Sequence, residues 1–223
     1  MKKIELYKEH HSNNPSYGQS FNVHYPYIGA IVNCLGCRSV IDYGCGNNLL
    51  VDKFRETGIE NAIGYDPAIP GIDQLPDQVF DCLVNTDVLE HIPENELPGV
   101  LEEFKKLSNT AIIIPHLGKA KAILPNGENA HCTIKTPSEW SSLFQRYYKH
   151  VQLLPHHSRM HATFLCSDLG LNYRAIDNLV SICFYLRTRY TIKRFAETKS
   201  FGQRARMALK LLRGKSAFSN KAY

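Results

Sequence analysis

The sequence predicts an α/β fold: an open sheet of parallel strands with helices on both faces. Three observations predict it. At Ser39–Leu49 a short β-branched strand (Val40, Ile41) ends in Asp42, turns through Gly44-Cys45-Gly46 and enters a helical pattern of Leu49, Leu50, Val51 and Phe54. A second strand signal, Ala62–Tyr65, also ends in an acid, Asp66. A third, Cys82–Asn85, runs into Thr86–Pro93. Strand signals alternating with helical patterns call for parallel pairing.

The remaining elements follow in order. Phe21–Leu35 carries Tyr27, Ile28, Ile31, Val32 and Leu35 at helical spacing and predicts a helix before the first strand. The first strand lies near Val40–Asp42 and its helix near Asn47–Thr57. Only Ala68–Val79 separates the second strand from the third, and Pro70, Gly71 and Pro76 break it. A full helix plus a strand needs more room. After Pro93, an acidic start leads into Leu97, Val100, Leu101, Phe104 and Leu107, a helical stripe. Ala111–Ile114 is a buried strand ended by Pro115. A long loop, His116–Thr136, then enters Pro137-Ser138-Glu139-Trp140, with Pro suited to a first helical turn. Val151–Leu154 and Ala162–Cys166 predict the last two strands, and Asn172–Leu186 the last helix.

The glycine turn brings backbone N–H groups and a helix N-terminus toward a ligand. A dinucleotide site wants G-x-G-x-x-G, but Leu49 stands at the third glycine position and Asp42 precedes the turn. The segment Asp42-Tyr43-Gly44-Cys45-Gly46 resembles motif I (D-x-G-x-G) of the class I S-adenosylmethionine (SAM) dependent methyltransferases. Asp66 stands 22 residues past Gly44. Asp87-Val88-Leu89-Glu90-His91 resembles the D-x-L-E-H segment of small-molecule members. The likeness spans about Ser39–Pro115. It implies a Rossmann-like sheet in which the helix and edge strand that usually follow Asp66 are shortened or missing.

The resemblance also implies site residues. Asp42, Gly44, Cys45, Gly46 and Asn47 hold the methionine part of SAM, with Asp42 near its ammonium. Asp66 and Pro67 serve the ribose. Asn85, Thr86 and Asp87 flank the cofactor at the carboxyl end of a central strand. Asn48 replaces the small third residue of the turn and tolerates left-handed backbone geometry. For an acceptor hydroxyl, His131 is the candidate base or orienting group, because a histidine titrates near neutrality and Asn126-Gly127 and Asn129-Ala130 form turns around it. Its loop, Ile123–His131, resembles one in bacterial methyltransferases of surface-polysaccharide gene sets. His91 ranks second. A structural histidine in a loop is the alternative for His131, and a packing helix for Phe21–Leu35, which in related enzymes caps the cofactor.

At 223 residues and 43% hydrophobic, the chain has room for a full core. Met1–Asn14 lacks an apolar signal-peptide run, and seven cysteines, an odd number, suit reduced thiols in a cytoplasm. Cys34 and Cys37 form a C-x-x-C with no second pair to complete a zinc site. His156, His157 and His161 have no nearby Asp, Glu or Cys in sequence and read as surface or interface histidines. No metal site is assigned. Charge is uneven: Arg187–Tyr223 has eleven basic residues and one acid, while the rest has 15 basic residues against 20 acids. This divides the chain into a catalytic domain, 1–186, and a basic, partly helical tail, 187–223. In the tail, Phe201, Ala205, Ala208, Leu209 and Leu212 share one helical face. Such a helix suits peripheral binding to the anionic inner face of a membrane, packing on its own domain or a twin subunit, or nucleic acid.

The function expected is O-methylation of a small molecule or of a sugar or phosphate group of a cell-surface glycan. RNA methylation and a non-catalytic SAM-binding module are the alternatives. Asn85-Thr86-Asp87-Val88 lacks the Pro-Pro-aromatic pattern of base-amine methylation.

Overall fold

The computed structural model describes residues 21–170, 173–197 and 202. Helix α1 (Phe21–Leu35) precedes β1 (Ser39–Tyr43), α2 (Leu49–Glu56), β2 (Asn61–Tyr65) and β3 (Cys82–Thr86). A short 3-10 turn, Leu89–His91, leads to α3 (Leu97–Leu107) and β4 (Thr110–Ile114). Helix α4 (Pro137–Phe144), β5 (His150–Leu154), β6 (Thr163–Ser167) and α5 (Tyr173–Glu197) complete the order.

The six strands form one sheet in the order β2-β1-β3-β4-β6-β5. The first four are parallel, and β6 runs antiparallel to both of its neighbours. The chain between β2 and β3 forms no helix or strand, so β2 is an edge. The shortened crossover read from Ala68–Val79 is therefore present, for the reason expected: its prolines and its length leave no room for a further α-β pair.

Successive side chains of a strand point to opposite faces, and parallel strands buried on both sides are apolar throughout. Val40, Val84 and Ile112 face one layer, where Ile28, Ile31, Val51, Phe54 and Leu179 of α1, α2 and α5 pack. Ile41, Leu83 and Ile113 face the other, against Leu101, Phe104, Trp140 and Phe144 of α3 and α4. Burying each such side chain contributes about 1.5–3 kcal/mol, more than a net hydrogen bond at about 1 kcal/mol. The two apolar layers therefore stabilise the sheet, and the polar loops at its edge are free to carry chemistry. Helix α4 starts where Pro137 predicts. Thr136 and Glu139 form a reciprocal capping box, with Thr136 N–H donating to Glu139 Oε2 at 2.7 Å.

Helix α5 runs past the expected end at Leu186 to Glu197. Residues 187–197 contain neither Pro nor Gly to stop it. It thus carries the first part of the basic segment. The amphipathic run expected over Phe201–Leu212 lies, apart from Gly202, outside the described residues. No described helix is long and apolar enough to cross a membrane.

Gly64, in β2, lies under the turn after β1. A Cβ there would collide with Asn48 Oδ1 and Cys45 Sγ. Gly64→Ala is expected to lower stability by about 1–3 kcal/mol, the usual cost of overpacking. Denaturant unfolding checks this. An unchanged midpoint would mean that the turn moves off β2 without cost.

Candidate active site

The turn after β1 is held from β2. Gly44 and Cys45 donate their N–H groups to Tyr65 O at 2.7 and 3.2 Å. Gly44, Gly46 and Asn48 all take positive φ, at 83°, 52° and 60°. Glycine enters that region without penalty, and Asn does so more readily than most residues. A Cβ on Gly44 would strike Val88, whereas one on Gly46 would meet no described residue within 4 Å. The turn is closed on the Val88 side and open above Gly46.

Asp66, at the end of β2, is buried. Its Oδ2 accepts from Gly46 N–H at 3.0 Å and its Oδ1 from Ala68 N–H at 2.9 Å. Asp42 is buried beside it, and burial, with the Asp66 charge adding, pushes its carboxyl up to about 7. A cation placed there would favour the ionised form. Asn85, fully buried at the end of β3, donates Nδ2–H to Tyr43 O at 2.8 Å, while its Oδ1 has no hydrogen-bond partner. Cys45 is buried, Pro67 and Thr86 are half-buried, and Asn47 is exposed. Burial pushes the Cys45 thiol up, so it stays protonated.

Beside this cradle stands a second group of side chains. Asp87 is the other non-glycine residue with positive φ, at 54°. Its N–H is tied to Ile114 O at 3.0 Å. His24 of α1 donates to Asp87 Oδ2 at 3.1 Å. His161 Nε2 lies 3.1 Å from Oδ1, at ion-pair distance but without hydrogen-bond alignment. Burial alone would raise the Asp87 carboxyl, yet the two imidazoles hold it well below the usual carboxylate range.

Among the described residues, seven of the eight histidines meet here. Ring centroids run 4.6 Å from His91 to His131, 4.7 Å on to His116, and 4.8 Å to His161. They continue 4.8 Å to His24, 5.4 Å to His156 and 4.2 Å to His157. Burial keeps these rings neutral where a shift is resolved: it lowers His131 and His156, and takes His116 to about 4 and His157 to about 3.

Backbone donors settle the tautomers. Ser158 N–H donates to His156 Nδ1 at 3.1 Å, so His156 carries its proton on Nε2. That proton points to His24 Nδ1 at 3.4 Å, which leaves His24 protonated on Nε2 toward Asp87. His131 and His91 are arranged oppositely. Their Nδ1 atoms face the carbonyls of Gly118 at 2.5 Å and Ala130 at 3.1 Å. A carbonyl only accepts, so both rings carry a proton on Nδ1, and in His131, which burial keeps neutral, the lone pair is on Nε2. Asn129 aims His131: its Oδ1 accepts from His131 N–H at 3.1 Å, and its amide pairs with the backbone of Ala120.

Under His131 lies Glu90, fully buried, with neither carboxylate oxygen hydrogen-bonded. His131 Nε2 is 3.9 Å from Glu90 Oε1. Burial, then the nearby Asp87 charge, holds the Glu90 carboxyl well above its ordinary range.

The structure brings Asp42, Gly44, Cys45, Gly46, Asp66 and Asn85 to one end of the sheet, next to Asp87, His91 and His131. His91 and His131 form one pair. The expectation for His156, His157 and His161 is corrected. His156 and His157 are buried and His161 meets Asp87, because the partner acid comes from another strand rather than from nearby sequence. Glu90, His24 and His116 were not singled out in the sequence. Glu90 carried a signal, its place in the D-x-L-E-H segment; a lone histidine in a helix carried none.

Residues 33–170 match the family model described as a methyltransferase domain. No curated protein matches the chain in sequence. The solved structures it resembles include the Burkholderia thailandensis 1,6-didemethyltoxoflavin-N1-methyltransferase with bound 1,6-didemethyltoxoflavin and S-adenosylhomocysteine. The identity is 13% and the TM-score 0.54, over 74% of this chain and 88% of that one. The mitomycin 7-O-methyltransferase MmcR is 13% identical with a TM-score of 0.53, over 73% and 58%. Human N-acetylserotonin methyltransferase, solved with SAM, is 12% identical with a TM-score of 0.53, over 75% and 56%. The chain spans just over half the length of the last two. At these identities the likeness is one of fold.

Asp42 gives a pH test. Its carboxyl rises from 3.8 to about 7 on folding, so the folded state keeps a proton that the unfolded state releases. Stability from this group therefore falls as pH rises from about 4 to about 7. Asp42→Asn is expected to be more stable than wild type at about pH 8, on the order of 1–3 kcal/mol, with a smaller gap at about pH 5. Denaturant midpoints at the two pH values check it; an equal gap at both would refute the raised value.

Proposed function

The chain belongs to the methyltransferase-domain family, and from that premise we propose that this SAM-dependent methyltransferase O-methylates a small molecule or a sugar or phosphate group of a cell-surface glycan. SAM supplies a sulfonium-bound methyl group for displacement by the acceptor. The carrying observation is the cradle: a turn open above Gly46, anchored on Asp66 and flanked by the buried Asp42 and the unpartnered Asn85 Oδ1. Each fits a part of SAM. Asp42 would hold the ammonium, which supplies the counter-charge that its burial lacks. Asp66 spends one lone pair per oxygen on the main chain and keeps the others for ribose hydroxyls. Asn85 would accept a donor from the same ligand.

His91 and His131 support an oxygen acceptor. A neutral imidazole with its lone pair on Nε2, as in His131, can accept a hydroxyl's proton or orient the hydroxyl. His131 takes this role first, because Gly118 O holds its ring at Nδ1 and Asn129 Oδ1 holds its backbone N–H. Turnover of SAM against a panel of hydroxylated acceptors, free sugars and lipid-linked glycans included, tests the class of substrate.

Two variants separate binding from chemistry. Asp66→Ala is expected to weaken SAM by about 1–3 kcal/mol, the value of charge-assisted hydrogen bonds. Calorimetry showing unchanged affinity would sink the ribose assignment. His131→Ala is expected to leave SAM affinity intact and lower turnover about 10²-fold or more. Untouched turnover, with loss in His91→Ala instead, would transfer the role to His91.

A further inference from the structure

Two carboxylate–histidine groups lie in the crevice with ligand atoms close enough to share one cation: His24, Asp87 and His161, and Glu90, His91 and His131. Their composition is the same, but their protons differ. In the first group, His24 carries its proton on the Nε2 that faces Asp87, as the chain from Ser158 through His156 requires. A protonated nitrogen has no lone pair for a metal. In that group the nitrogen of His24 that faces the carboxylate is committed to a hydrogen bond with Asp87 Oδ2.

The second group has the opposite arrangement. His91 and His131 both commit Nδ1–H to a backbone carbonyl, so in each ring Nε2 is the atom placed to ligate. An Nδ1–H held by a carbonyl is the usual outer support of a metal-binding histidine. Glu90 has no exposed surface, and neither oxygen has a hydrogen-bond partner. Its Oε1 stands 3.9 Å from His131 Nε2, too far for a hydrogen bond but near the separation of two ligands on one ion. The three ligand atoms lie within 4.8 Å of one another. A histidine nitrogen, a second imidazole and a buried carboxyl thus converge at the spacing of ligands on one ion.

We propose that Glu90, His91 and His131 bind a divalent transition cation. Two imidazole nitrogens and one carboxylate oxygen suit Zn²⁺, Mn²⁺, Fe²⁺ or Co²⁺ better than Mg²⁺ or Ca²⁺, which prefer oxygen alone. Three protein ligands leave coordination positions for water or for an acceptor oxygen, and a metal-bound hydroxyl is more acidic than a free one. This deepens the proposed O-methylation. It makes His131 a ligand, with the hydroxyl held by the ion rather than by the imidazole. Cation binding itself requires no acceptor and no SAM.

The test is titration of the metal-free full chain with Co²⁺, followed by its visible absorption, and with Zn²⁺ by calorimetry, alongside SAM affinity on each sample. One equivalent is expected in the wild type. Glu90→Gln and His131→Ala should each weaken it at least tenfold while SAM affinity holds, which shows that the fold is intact. His161→Ala should keep it. Absence of a bound equivalent in wild type that still binds SAM overturns the proposal. So does its retention in both Glu90→Gln and His131→Ala, or its loss in His161→Ala alone. A chain that binds the cation but not SAM would refute the cofactor assignment and leave the cation site standing.

Discussion

Asp66 accepts hydrogen bonds from the main chain on both of its oxygens, from Gly46 and from Ala68. Through Gly46 it closes the turn after β1 onto the end of β2, and through Ala68 it sets the direction of the chain beyond. Much else depends on that anchor. Gly64 has to be glycine because the turn presses Asn48 and Cys45 onto it. Asn48 can open α2 in a left-handed conformation because the turn delivers it there, at φ 60°. Asp42 is buried next to a second carboxylate because both strands end at the same level, with Asp42 opposite Gly64. The turn sets two buried carboxyls side by side, a cost that a proton on Asp42 or a cation beside it relieves.

The second half of the crevice solves the opposite problem. Buried carboxylates cost free energy unless they are paired or protonated. Asp87 is paired, by imidazoles brought from α1 and from the segment before β6. Glu90 is not hydrogen-bonded and keeps its proton or takes a cation. The long loop after β4 makes this possible. Cys132 and Thr133 donate to Glu90 O at 2.9 and 3.0 Å, and Leu117 N–H donates to Met160 O at 2.7 Å. The loop is thereby pinned across the 3-10 turn, which puts His131 against His91. A loop without strands is positioned here by main-chain hydrogen bonds, and that makes it a suitable carrier of catalytic side chains.

Much of the fold was legible in local patterns. Alternating apolar runs marked β1 to β4, and Pro137 with Thr136 and Glu139 marked the start of α4. Two prolines and a short span disclosed the missing α-β pair. Helix α5 was read too short, because a polar, basic surface has weak periodicity although nothing in it breaks a helix. The closeness of Asp42, Gly46, Asp66 and Asn85 was legible because they lie on consecutive strand ends, where spacing along the chain reports spacing in space. The histidine crevice was not. His24 and Asp87 are 63 residues apart, and His24 and His156 are 132. No local pattern links them.

By itself, then, the sequence determined the order of elements, the glycine turn with its two acids, the open edge at β2 and the membership of Asp87, His91 and His131 among the candidate residues. All of these follow from rules that act within a few residues: strand period, turn geometry and the reach of a helix. Tertiary structure alone decided which histidines are buried, which acid each one meets and which nitrogen carries its proton. Those outcomes depend on backbone donors and carbonyls supplied by distant segments, Ser158 for His156, Gly118 for His131 and Ala130 for His91. The two groups differ although both contain two histidines and one carboxyl: His24 hydrogen-bonds Asp87, whereas neither oxygen of Glu90 has a hydrogen-bond partner.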